Sequence, residues 1–92
     1  MSRMHNPAHP GAVLKEWLDE ISITAAAGQL GITRAHLSRI LHCHAGISAD
    51  MAIRLSEYLG TSPELWLEMQ MNYDLWHAAQ QERPQIEKLA HA

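Results

Sequence analysis

ITAAAGQLGITRAHLSRI, residues 23–40, reads as two short helices joined by a tight glycine turn, a unit whose main use is to hold its second helix against DNA. Ala27 puts a small side chain where the two helices approach each other, and Gly31 can take the left-handed backbone that the turn requires. Thr33 is placed to cap the second helix. Leu30, Ile32, Leu37 and Ile40 recur at intervals that turn them inward, which leaves Arg34, Ala35, His36, Ser38 and Arg39 outward as the candidate reading surface.

Charge along the chain supports that reading. The formal net charge is −3, which taken whole opposes binding to phosphate. Its distribution points the other way. Residues 21–49 contain no Asp or Glu and carry Arg34, His36, Arg39, His42 and His44, while all ten carboxylates lie elsewhere. One face is therefore neutral to basic, and the acids are segregated from it.

Outward from this unit, the punctuation predicts an all-α chain of five helices. Ninety-two residues and 47% hydrophobic composition, with no Phe and three Trp, allow a single small core. Pro10 opens a first helix in which Val13, Leu14, Trp17, Leu18 and Ile21 fall at helical spacing, ending near Glu20. Ser22 caps the second helix, which runs to Leu30, and the third spans residues 34–42. Ser48 and Gly60 bracket the fourth. Ser62 and Pro63 open a fifth that runs to Glu82 before Pro84 stops it. The organisation is a flexible arm (1–8), a helix-turn-helix domain (9–82) and a C-terminal tail (83–92).

The fifth helix carries more large apolar surface than one inward stripe can bury. Trp66, Met69 and Tyr73 are assigned to the core; Met71, Leu75 and Trp76 fall on other sides and are the candidate dimer interface. A symmetric homodimer would set two reading helices about 34 Å apart, one turn of DNA.

Other chemistries find little support. His36, His42, Cys43 and His44 are possible zinc ligands by type, but three of them are consecutive and no fourth ligand stands at a recognised spacing. The remaining histidines, His5, His9, His77 and His91, are scattered and read as surface or capping residues. Arg54 is expected to pair with Asp50, Glu57 or an acid of the first helix. No paired carboxylates, phosphate loop or nucleophile with a base occurs, so neither an enzyme, a cofactor nor a small-molecule substrate is expected. A lone Cys43 and an N-terminus without a signal-peptide apolar core favour the cytoplasm, and no run approaches membrane-spanning length.

From His9 to Trp76 the chain resembles the HigA-type, VapI-like antitoxins of the Xre, or lambda-repressor-like, helix-turn-helix group. The resemblance rests on His9-Pro10-Gly11, on the turn unit, and above all on ISADMAIRLSEYLGTSPELWLEMQMNYDLW, residues 47–76, with Arg54, Gly60-Thr61-Ser62-Pro63 and Asp74-Leu75-Trp76. It implies a five-helix DNA-binding fold, a homodimer that binds double-stranded operator DNA of its own operon, and a HigB-type partner, a small ribosome-dependent mRNA endonuclease. A repressor of the same fold without a toxin partner is the alternative.

Two departures from the family pattern stand out. Ile23 occupies the start of the second helix where many relatives have a Gln that braces it on phosphate. His42-Cys43-His44-Ala45 replaces a common Asn-Gly-Lys-Arg-like loop. Phosphate binding is thus expected to be weaker near neutral pH and to strengthen as histidine protonates below about pH 6.5. Arg34 is expected to reach a guanine edge, with Arg39 on phosphate and Thr33, Ala35, His36, Ser38 and His44 completing the contact surface. Four Arg per dimer give a shallow salt dependence, on the order of −3 to −4 in log–log slope.

Overall fold

The computed structural model describes residues 6–90, so Arg3, His5 and His91 lie outside the described residues. Among the described residues there are five helices and no strand: α1 (Pro10–Leu18), α2 (Ile23–Leu30), α3 (Arg34–Leu41), α4 (Ala49–Leu59) and α5 (Pro63–Ala79). Each begins on a side-chain cap. The hydroxyls of Ser22, Thr33, Ser48 and Ser62 accept from the backbone N–H three residues on, at 3.0–3.1 Å. This satisfies amides that have no partner inside the helix. At α1 the cap is His9, whose Nδ1 accepts from the Gly11 N–H at 2.8 Å. His9 is a buried capping residue, not a surface one.

Three helices end earlier than the sequence predicts. α1 stops at Leu18 because Asp19 turns to φ 45° and closes its N–H on the Lys15 carbonyl. α3 gives up His42, whose ring Nδ1 lies 2.8 Å from the Ser38 carbonyl as a cap. α5 ends at Ala79, where Gln80 and Gln81 switch to three-residue turn bonds on His77 and Ala78 and Arg83 donates to the Ala78 carbonyl. Residues 83–90 have no regular structure and are exposed.

The core joins Leu14 and Leu18 of α1, Ala26, Ala27 and Leu30 of α2, Leu37, Ile40 and Leu41 of α3, and Met51, Ala52 and Leu55 of α4 with Ile47 and Trp66. Trp66 is fully buried and donates its indole N–H to Thr61 at 2.8 Å, which satisfies the one polar atom of the largest core side chain. Small residues at the closest approaches fix the helix arrangement. Ala26 and Ala27 let α2 lie close to its neighbours. At Gly11 a Cβ would stand 1.8 Å from the Ile40 carbonyl oxygen, so α1 starts directly against the backbone of α3.

Candidate nucleic-acid interface

The turn between α2 and α3 has the geometry that glycine permits. Gly31 sits at φ 74°, ψ 31°, and the N–H groups of Ile32 and Gly31 donate to the carbonyls of Ala27 and Gly28, the paired pattern of a helix ending in a left-handed residue. Arg54 then locks the turn from α4: its guanidinium donates to the carbonyls of Leu30 at 2.8 Å and Gly31 at 3.3 Å, while Nε pairs with Asp50 at 2.8 Å. The Asp50 pairing is one that the sequence offers. The carbonyl contacts are not legible there, because the partners are 23 and 24 residues away.

Thr33 caps α3, and the first turn of the helix is exposed at Arg34, Ala35 and His36. Arg34 Nε donates to the Thr24 hydroxyl at 3.1 Å, so the first guanidinium of the reading surface is braced from the start of α2. Nothing in the spacing of the chain marks Thr24; only the packing of α2 against α3 brings it within reach. Arg39, one turn on, is exposed and makes no side-chain hydrogen bond or ion pair among the described residues. Leu37 and Ile40 are fully buried and Leu30 nearly so, whereas Ile32 is half-buried at the core's edge. Ile23 likewise packs against the core.

Ser38 differs from its expected outward role. It is half-buried, with its hydroxyl 3.3 Å from His42 Nδ1, so it belongs to the cap of α3. Beyond that cap, Cys43 adopts φ 63°, and the N–H groups of Cys43 and His44 donate to Ile40 and Arg39. The end of α3 therefore repeats the hydrogen-bond pattern of the α2 turn with a cysteine at the left-handed position. His44 is exposed beside the ring of His42, with centroids 6.4 Å apart. Among the described residues no group of three or more His, Cys, Asp or Glu gathers to hold a metal. No helix among them is long and apolar enough to cross a membrane.

The second candidate surface lies on α5. Trp66, Met69 and Tyr73 face inward as expected, the first buried and the other two half-buried. Met71 and Leu75 are 47% and 46% exposed. With Leu67 they stand at four-residue intervals along one row. Trp76 does not share that row. It is half-buried, its ring edge-on to His77 at 5.1 Å. His77 in turn stacks on Tyr73 at 4.2 Å and is half-buried, not a surface residue.

Known proteins share this geometry. A family model described as Helix-turn-helix matches residues 14–66. Virulence-associated protein A' of Dichelobacter nodosus is 48% identical over 82 residues, covering 86% of this chain and 71% of the relative. Antitoxin HigA-1 of Vibrio cholerae is 37% identical over 73 residues, 76% of this chain and 69% of the relative. Among solved structures, the Pseudomonas aeruginosa antitoxin HigA with the higBA promoter superposes with a TM-score of 0.77 and 42% identity, over 80% of this chain and 84% of that one. The chain thus belongs to the HigA-type, VapI-like branch of the Xre-like helix-turn-helix family, a family of DNA-binding regulators and not of enzymes.

Proposed function

We propose that this protein is an operator-binding antitoxin that works as a homodimer, represses its own operon and neutralises a HigB-type mRNA endonuclease. The observation that carries the DNA half is the exposed, acid-free start of α3: Arg34 stands braced by Thr24, Arg39 is exposed, and no carboxylate lies between residues 21 and 49. A relative of high similarity whose structure includes a promoter supports the same reading. Arg34, held near the start of the reading helix, contacts a base edge in the major groove, while Arg39 contacts phosphate. Thr33, Ala35, His36 and His44 complete the surface; Ser38 serves it indirectly, through the cap on His42. The row containing Met71 and Leu75, backed by Trp76, joins two copies so that both reading helices meet one face of the duplex.

A gel shift on the DNA upstream of the gene tests this reading. Arg34→Ala is expected to weaken operator binding about tenfold to a hundredfold and to relax its sequence preference. Arg39→Ala should weaken binding to all sequences alike and reduce the salt slope by about 1. Equal affinity of both variants and the unaltered chain for the operator would overturn the assignment. Copurification with the product of the adjacent reading frame tests the toxin half. Operator binding without such a partner leaves the toxin-free repressor as the function.

A further inference from the structure

The end of α1 carries a second exposed surface unlike the DNA-facing one. Trp17 is 48% exposed, its ring edge-on to buried Trp66 at 6.2 Å, and Ile21 in the turn that follows is 44% exposed. A large aromatic anchored from beneath and open above has the properties of an interface hot spot. Glu16, Asp19 and Glu20 flank the two apolar residues, all three exposed, and among the described residues none of them forms an ion pair or a side-chain hydrogen bond. Lys15 is the one cation in this run. Across an open cleft lined by Lys15, Glu16, Asp19, Leu41, His42 and Cys43, this acidic end of α1 borders the loop after α3.

We infer that Trp17 and Ile21, ringed by Glu16, Asp19 and Glu20, form the docking surface for a basic protein. The inference rests on the antitoxin reading above and names the surface by which the partner is held. Charge selects the occupant. Phosphate of DNA or of an anionic membrane is repelled by three exposed carboxylates. A second copy in a symmetric contact would set those carboxylates against themselves. A positively charged protein surface, such as one built to hold messenger RNA, neutralises them while a pocket on it takes the indole.

Titration calorimetry of the full chain with the purified basic product of the adjacent reading frame, at two salt concentrations, tests the surface. Trp17→Ala is expected to weaken the complex at least about thirtyfold. Glu16→Lys with Glu20→Lys touches no core residue and is expected to weaken it about tenfold and to abolish its salt dependence. Asp19→Asn is expected to give a smaller loss. Operator affinity of Trp17→Ala should equal that of the unaltered chain, which separates loss of docking from loss of fold. Full binding by Trp17→Ala and by the double charge reversal would overturn this surface and leave the antitoxin reading standing. If the unaltered chain binds the operator but not the basic protein, the surface and the toxin half of the proposed function fall together, and the DNA half stands.

Discussion

The joint before α3 and the joint after it share one backbone pattern and differ in nearly everything else. In both, a left-handed residue ends a helix, and two successive amides, Gly31 and Ile32 in one and Cys43 and His44 in the other, donate back to the last free carbonyls. The first joint is glycine, clamped by Arg54 from α4. The second is cysteine, capped only by its neighbour His42 and supported from below by Gly11 against the Ile40 carbonyl. A left-handed conformation costs a residue with a Cβ about 1–2 kcal/mol. The rigid joint fixes where the reading helix starts, and the strained one lies where the chain leaves the DNA-facing surface; local strain of this kind collects near functional surfaces.

Four measurements put this contrast at risk. Gly11→Ala pushes a methyl into the Ile40 carbonyl, which also receives the Cys43 N–H. It is expected to lower unfolding free energy by about 3 kcal/mol in chemical denaturation, since backbone on both sides must move. A loss under about 1 kcal/mol would mean that α1 does not buttress the second joint. Arg54→Met removes the clamp on the first joint while keeping an apolar stem. Charged hydrogen bonds of this kind contribute about 1.5–3 kcal/mol, and a loss of about 2 kcal/mol is expected. Amide exchange should then rise at Gly31 and Ile32 and stay unchanged at Cys43 and His44.

Cys43→Gly works in the opposite direction. By relieving the left-handed strain it is expected to stabilise the fold by about 1 kcal/mol, read as a higher denaturation midpoint with an unchanged slope. No gain would show that the second joint is not strained at all. The smallest effect is one of pH. Burial lowers the pKa of His9 from its ordinary 6.5, with His77 adding to the shift and Asp74 opposing it. The fold therefore favours neutral His9, the form whose Nδ1 can accept from Gly11. Its contribution is complete above pH 6.5 and is lost as pH falls through the lowered value. His9→Asn keeps a cap without titrating, so its stability should stay flatter across that range. A parallel decline in both proteins would assign the acid sensitivity to another group.

How far the sequence reaches differs by residue. Ser22, Thr33, Ser48 and Ser62 act within three residues of themselves, and all four caps stand where the sequence puts them. Gly31 and Gly60 are left-handed for the same local reason. Ser38 and Trp76 show the limit: helical spacing alone turns each outward, but the unwinding of α3 at His42 recruits the serine into a cap, and the indole is half-buried with its ring edge-on to His77. Neither effect has a signature in spacing.

By itself, then, the order of residues determined where each helix begins and which segment is free of carboxylates, because capping and charge are properties of a few neighbouring groups. Only the folded arrangement decided that Gly11 must lie on the backbone of α3, that Arg54 closes carbonyls at the end of α2, that Gln70 of α5 accepts from the Ile47 N–H at 2.7 Å, and which row of α5 is left uncovered. Those hydrogen bonds join positions 23 and 24 residues apart. They exist only when every helix is already packed, since an ångström of shift in one removes the partner from the next.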